Sequence, residues 1–476
     1  MNPPANDGGL RRGLTSRQVT MIGLGGAIGT GLFLGSDLAI SKAGPSVIVA
    51  YVACGLVALV ISFALAEMVV VHPAAGSFGT IAHHYLGPWA GFVIRWTYWA
   101  IQAIAVGGEM VAAGIYVQHW WPALPLWLPV VVFSAVMLAV NAITVRLFGE
   151  IEYWFSMVKV TAISVFILVG AGYIFLGLPG HAALGTSNLT AHGGFLPNGV
   201  SGLGLAFVFV IFSFIGTEVV SVTAAEAEDP VRDIPRAARR MVVRLALFYV
   251  IAIAIVVTIV PWTATSGGGD VSASPFVRLF DIAGFPAAAG VMNFVVLTAA
   301  LSSANANIYL TTRMLHSLGL HGMAPRWVAR VGRTGVPRLA LVISAIGLAI
   351  ASILSAVSAN DAYVILFGVS VFGALIVWIM ILATHTAFRR KRGAGGLPPS
   401  PVRLWAAPVT VPLTAVVLCA ILVSTAFIDG LTMAWKAGIP FLLILSAAYL
   451  AVARRRPRTA EDPLAEAADR PSGTGT

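Results

Sequence analysis

Apolar residues in this chain run in long blocks, without the two-residue alternation of a strand surface, and short polar connections separate the blocks. A helix needs about 20 mostly apolar residues to cross a bilayer. Twelve blocks approach or exceed that length, with soft boundaries: 18–41, 45–70, 89–118, 125–144, 154–176, 199–223, 241–262, 284–312, 338–357, 361–386, 405–427 and 436–453. Runs this long exclude a β-barrel, whose strands are about 10 residues each and alternate in polarity. The pattern predicts an all-α polytopic membrane protein with 12 transmembrane helices. The first ten residues, MNPPANDGGL, lack a basic leader and the first apolar block is full length, so a cleaved signal peptide is not expected.

Composition points the same way. Of 476 residues, 58% are hydrophobic and 10% charged, whereas a soluble domain carries about 25% charged residues. So few charges cannot cover a water-facing surface, which excludes a soluble enzyme and a disordered chain. Cys54 and Cys419 both lie inside apolar blocks, so no disulfide framework is implied. A net charge of +10 would suggest nucleic acid in a soluble protein. Its distribution argues otherwise. With the N-terminus inside the cell, only Lys42, Arg278 and Lys436 of the 29 lysines and arginines fall in outer connections. That asymmetry is the positive-inside pattern and places both termini in the cytoplasm of a multi-pass cell-membrane protein. The partners expected are the lipid bilayer and a small molecule; nucleic acid is not among them, and the oligomeric state is open.

Two blocks are poor helices. The first contains glycine at 23, 25, 26, 29, 31 and 35, each costing about 1 kcal/mol against alanine in a helix interior. Small-residue helix packing accounts for one or two of these, not for six. The sixth block reads Phe212-Ser-Phe-Ile-Gly-Thr-Glu218 and repeats the Ile28-Gly29-Thr30 triplet as Ile215-Gly216-Thr217. Two glycine-interrupted spans, five helices apart and opposite in direction, suggest an inverted repeat with a site at the membrane midplane. Unwound backbone there offers N–H groups to a carboxylate and carbonyls to an ammonium. An α-amino acid carries both.

At these residues the chain resembles an amino acid permease of the amino acid–polyamine–organocation superfamily, in its bacterial amino acid transporter branch. The matching stretches include GGAIGTGLFLG (25–35), GSFGTIAHHYLGPWAGF (76–92), FGEIEYWF (148–155), FSFIGTEVVSVTAAEAEDP (212–230) and FVVLTAALSSANANIYLTTRML (294–315), within a resemblance covering about residues 10–455. It implies the leucine-transporter-like fold, a 5+5 inverted repeat plus two extra helices. The divisions are then a cytoplasmic segment 1–17, a first repeat 18–176, a second repeat 199–386, two further helices in 405–453 and a disordered cytoplasmic tail 454–476.

The resemblance also implies site roles. The substrate carboxylate is expected at backbone N–H groups around Gly29, Thr30 and Gly31, and the amine at carbonyls near Ala27, Phe212 and Ile215. Gly26, Ser213, Gly216 and Thr217 complete the expected substrate-binding set, with hydroxyls on Thr30 and Thr217. Phe212 is either an aromatic gate, as in relatives, or a packing aromatic. Ionisable groups inside spans are expensive, which makes function the first hypothesis. Glu109 is expected to hold a proton, contact the amine, or hydrogen-bond while neutral. Lys159 either snorkels to the interface or, by resemblance, fills what is a sodium site in other members of the fold, near Ser302, Ser303 and Asn305. Glu218 either orders the interrupted span or lines the pocket. Lys159, Glu109 and Glu218 form the expected proton-coupling set. Glu67 reads as structural. Asp37 and Asn307 depart from the family pattern, and Gly107, Gly108, Ser370 and Gly373 are expected to line the pocket.

No catalytic constellation or metal-ligand spacing is present; His72, His83 and His84 lack a fourth ligand nearby. The glycines of the first block lack the preceding strand of a dinucleotide fingerprint. The expected activity is proton-coupled uptake of a neutral amino acid by alternating access, with the proton as coupling ion and no cofactor. An exchanger of the same fold and a transport-dead amino acid sensor are the alternatives.

Overall fold

The computed structural model describes residues 28–73, 76–143, 145–177, 182–218, 221, 230–265, 274–282, 286–332, 335–397, 399–428, 430–455 and 464. All regular elements among them are helical: α1 (Thr30–Phe33), α2 (Gly35–Ala43), α3 (Val47–Val71), α4 (Ser77–Leu86), α5 (Pro88–Gln118), α6 (Trp127–Ile143), α7 (Val145–Phe175), α8 (Gly199–Phe212), α9 (Pro230–Ile259), α10 (Pro275–Ile282), α11 (Pro286–Leu320), α12 (Arg338–Ser344), α13 (Ile346–Val357), α14 (Ala362–Ala394), α15 (Ala407–Ser424) and α16 (Thr432–Arg455). Among the described residues nine stretches are long and apolar enough to cross a membrane, and α6 and α8 are apolar but shorter. The chain is a multi-pass membrane protein.

The packing is centred on α5, whose most apolar window is 83% buried against 11% for α16 at the periphery. Helices α11, α13, α14 and α4 pack around α5, while α9 lies along α3 and α2 along α8. Small residues permit the closest of these approaches, because helices in lipid associate mainly through tight van der Waals packing. A Cβ on Gly107 would stand 2.5 Å from the Gly347 carbonyl oxygen, and Gly373 abuts Ile101. Gly107 and Gly373 therefore seat α13 and α14 against α5. Ser370 closes its hydroxyl onto the Leu366 carbonyl of its own helix, 2.8 Å away. Gly107 and Gly373, expected to line the pocket, are thus corrected to helix-packing residues, and Gly108 is in ordinary contact distance of Leu366.

The two glycine-interrupted blocks are broken. In the first, Gly29 is extended (φ −122°, ψ −155°), α1 starts at Thr30, and the chain turns at Leu34 before α2. Gly26, Ala27 and the glycines at 23 and 25 lie outside the described residues. In the sixth, α8 stops at Phe212 and residues 213–218 form a tight turn, with Ser213, Phe214 and Ile215 each donating to the carbonyl three residues earlier. Gly216 sits at φ +101°, a left-handed conformation that side chains other than glycine resist, and it ends the helical run.

Some boundaries differ from the sequence expectation. α7 begins at Val145, not near 154, and α11 runs on to Leu320, beyond 312. α4 and α10 are short helices within stretches read as connections. The tail expected to be disordered over 454–476 begins in helix, since α16 continues to Arg455; apart from Leu464 the rest of it lies outside the described residues, as do the segment 1–17 and Glu226, Glu228 and Asp229.

Candidate functional site

The broken segments meet at α5 and α11. Thr30 has one of the first N–H groups of α1, which an α-helix leaves without an internal acceptor, and Gly29 has no side chain with which to cap it. The cap comes from 79 residues away: the Thr30 N–H donates to both Glu109 carboxylate oxygens, at 3.2 and 3.4 Å. Ser303 of α11 donates to Glu109 Oε1 at 2.9 Å. The approach depends on Gly29, where a Cβ would lie 2.5 Å from Glu109 Oε1. Glu109 is 4% exposed. Of the three roles expected for it, hydrogen bonding is the one the geometry displays.

A cavity of about 20 Å³ adjoins this cap. Its walls are Gly29 and Gly31 from the first break, Phe212, Ile215 and Gly216 from the second, Gln102, Ala105 and Glu109 from α5, and Ser303 and Asn307 from α11. Both interrupted segments therefore border one space. Phe212 is partly buried and packs its ring 4.4 Å from the Phe367 ring of α14, at the rim where α1 meets the end of α8. Ser213 takes its place behind it, with its hydroxyl 3.4 Å from that of Tyr51. Thr217 is buried, and its hydroxyl has no hydrogen-bond partner among the described residues.

Lys159 does not snorkel. It is fully buried, and its ammonium donates to the Ile28 carbonyl at 3.0 Å, directly before the extended Gly29. It also lies within electrostatic reach of Glu152 and Glu109. Glu152 is the residue that sequence reasoning missed. It is fully buried, accepting from Ser302 Oγ at 2.6 Å and from Asn305 Nδ2 at 3.1 Å. Asn141 of α6 in turn donates to Asn305 Oδ1 at 2.9 Å. Buried polar groups in such a layer are sustained only when each is satisfied. The span expectation placed Glu152 in a connection; the FGEIEYWF stretch was the available signal, since a helix starting at Val145 brings Glu152 and Lys159 two turns apart on α7.

Glu218 orders the second break: its Oε2 accepts the Gly216 N–H at 3.0 Å and lies 3.4 Å from the Trp378 indole nitrogen. It borders the turn, while the cavity wall is formed by its neighbours. Glu67 stands apart from the cavity. Its carboxylate accepts from Arg389 at 2.9 and 2.8 Å and from the Leu404 N–H at 2.9 Å, with His385 Nε2 at 3.0 Å. It ties α3 to α14 and to the approach of α15. Asp37 is buried, with Arg278 of α10 at 3.7 Å. No metal-ligand cluster is found among the described residues.

Known proteins share this arrangement of sequence. The amino acid permease family model matches residues 18–456. The chain is 40% identical over 442 residues to the probable threonine/serine transporter YbxG of Bacillus subtilis (strain 168), covering 92% of this chain and 94% of that protein. It is 40% identical over 423 residues to a gamma-aminobutyric acid permease of the same organism, covering 89% of each. With the aromatic amino acid transport protein AroP of Escherichia coli (strain K12) it shares 38% over 442 residues, covering 93% of this chain and 95% of the relative. A family match across nearly the whole length, around two broken helices that face one cavity, makes this chain a member of the amino acid permease family of the amino acid–polyamine–organocation superfamily.

Proposed function

We propose that the chain is a secondary active permease that takes up a neutral amino acid together with a proton by alternating access. Its twelve helical stretches would form two inverted five-helix repeats plus two helices, with both termini cytoplasmic. The single observation that carries the reading is the common cavity bordered by Gly29, Gly31, Phe212 and Gly216, at which two backbone breaks converge. In this reading the Thr30 N–H, now capped by Glu109, serves the substrate carboxylate, and backbone carbonyls near Phe212 and Ile215 serve the amine. The relatives' names span threonine/serine, gamma-aminobutyric acid and aromatic amino acids. All of these carry one amino and one carboxyl group and no charged side chain, which favours a neutral substrate.

Coupling to protons is favoured by Lys159. Its ammonium already occupies the Ile28 carbonyl, where a sodium ion entering the same place would meet a like charge. One buried ammonium facing Glu109 and Glu152 forms a cluster that changes charge by proton exchange. The test is uptake of radiolabelled amino acids into proteoliposomes with an imposed inside-alkaline gradient. Accumulation that a protonophore abolishes is expected. Uptake that ignores the gradient and requires amino acid inside the vesicle would replace symport with exchange.

A further inference from the structure

Two amide side chains line the cavity beside the Glu109 cap, Asn307 one helical turn from Ser303 and Gln102 about two turns from Glu109, and the amide nitrogen of each is already engaged. Helices α5 and α11 run antiparallel: Asn293 donates to the Tyr116 carbonyl, Ser303 to Glu109, and Trp96 to the Met323 carbonyl. That register sets Asn307 opposite Ala105, about 6 Å along each axis from the Ser303–Glu109 level, with Gln102 about 4.5 Å further along α5. All five border the same cavity.

The orientation of each amide follows from its neighbours. Ser303 spends its single hydroxyl proton on the Glu109 carboxylate, so toward Asn307, at 3.5 Å, it can only accept. The Asn307 nitrogen therefore faces Ser303. Its Oδ1 is left buried with no hydrogen-bond partner among the described residues. On the other wall, Gln102 Nε2 donates to the Tyr98 hydroxyl at 3.0 Å, and that hydroxyl bonds to the Glu218 carboxylate. A phenol that donates to a carboxylate accepts from its other neighbour, so the Gln102 oxygen is also the end left over. A buried acceptor without a donor is costly, and Asn307 Oδ1 is one, on a residue that borders the cavity.

We infer that Asn307 and Gln102 form the side-chain subsite of the permease, and that it selects amino acids whose side chain carries a hydrogen-bond donor, a hydroxyl or an amide N–H. The inference deepens the reading of the chain as a neutral amino acid permease and rests on it. A substrate anchored by its carboxylate at the Thr30 N–H places its side chain one turn along, at Asn307, with Gln102 beyond it, bordering the same cavity. Acidic side chains are repelled by the Asn307 oxygen, and apolar ones leave that acceptor unpaired.

The test compares binding of L-threonine, L-valine and O-methyl-L-threonine to the purified full-length protein by titration calorimetry. Threonine and valine differ by a hydroxyl in place of a methyl, and the methyl ether keeps the oxygen while losing the donor. Threonine is expected to bind about tenfold tighter than either, since a site built to pair a donor penalises the analogue lacking it. In Asn307→Leu the threonine-to-valine ratio is expected to fall to about one; Asn307→Ala serves if the leucine variant does not fold. Equal binding of valine and threonine by the wild type overturns the subsite and leaves the permease reading standing. So does an unchanged ratio in both variants. Binding of no amino acid at all overturns the permease reading itself.

Discussion

Gly29→Ala is the sharpest probe of the capped break. The added methyl carbon would lie 2.5 Å from Glu109 Oε1, 2.6 Å from Ser303 Oγ and 2.9 Å from Ser303 Cβ, where nonbonded carbon contacts are best at about 3.5–4.0 Å. The carboxylate is the end of a flexible side chain and can retreat by about 1 Å, but Ser303 Cβ is fixed to the α11 backbone. A retreat of that size takes the 3.2 Å bond from the Thr30 N–H beyond hydrogen-bonding distance. Overpacking costs about 1–3 kcal/mol, and an unsatisfied buried N–H costs about 1–3 kcal/mol more. A combined loss of about 2–6 kcal/mol is expected in folding stability. Because the proposed carboxylate subsite is the same N–H, amino acid affinity should fall by at least about tenfold, at 1.4 kcal/mol per decade. Melting of the detergent-purified protein, with and without ligand, reads both quantities. Gly172→Ala, on α7 with nothing within 4 Å of the new methyl, is the control and should melt no lower than wild type, since alanine is the better helix former. Adding Ser303→Ala to Gly29→Ala removes the 2.6 Å clash and should restore part of the stability. Wild-type melting and affinity in Gly29→Ala would refute the account of the cap.

Three further substitutions test the surrounding network. Lys159→Met keeps the length of the side chain and removes the ammonium from the Ile28 carbonyl; gradient-driven accumulation in proteoliposomes should be lost while exchange of labelled amino acid persists, and accumulation at wild-type levels would contradict the coupling role. Glu152→Gln keeps one acceptor oxygen for Asn305 and turns an NH2 toward Ser302, whose hydroxyl can rotate to accept, so it should melt higher than Glu152→Ala, which leaves those groups and Lys159 facing a void at a cost of about 3 kcal/mol or more; equal melting points would argue against a structural charge layer. Arg389→Ala strips two of the hydrogen bonds on buried Glu67 and should lower thermal stability by about 1–3 kcal/mol. Its amino acid affinity should stay unchanged because that cluster does not touch the cavity, and a large affinity loss would link the two regions.

Much of the site was legible because its signals are backbone signals. Glycines at 29, 31 and 216 mark places where helix propensity fails inside an apolar block, and a failure in lipid needs a reason. Glu109 and Lys159 stood out as charges inside spans. What escaped is what depends on partners distant in sequence. Glu152 lies in the connection before the fifth block and reads as a loop residue until α7 is seen to begin at Val145. Gln102 is an ordinary polar residue in a helix until Tyr98 and the second break give its amide a direction. The small residues of α5 and α14 erred in the opposite sense: Gly107 and Gly373 suggested room for a ligand, yet neighbouring helices use that room to approach. Glycine in a membrane helix thus has two readings, and only the facing element separates them.

The cavity volume joins the cap to transport. About 20 Å³ is enough for roughly one water by the usual measure and far below what an amino acid needs. In the proposed reading, binding therefore has to enlarge the space, and the movable walls are few. Ser303 and Asn307 belong to the 35-residue α11, and Gln102 to the deeply packed α5. α1 has only four residues, flanked by an extended Gly29 and the turn at Leu34, and Phe212 ends α8 at another turn. Substrate entry should then displace α1 and the Phe212 ring while α5 and α11 hold still, and it should free Glu109 from the Thr30 N–H. A carboxylate released from its donors at the moment the substrate's carboxylate replaces it is a group whose proton affinity changes with occupancy. That exchange gives a physical route from amino acid binding to proton binding without any long-range signal.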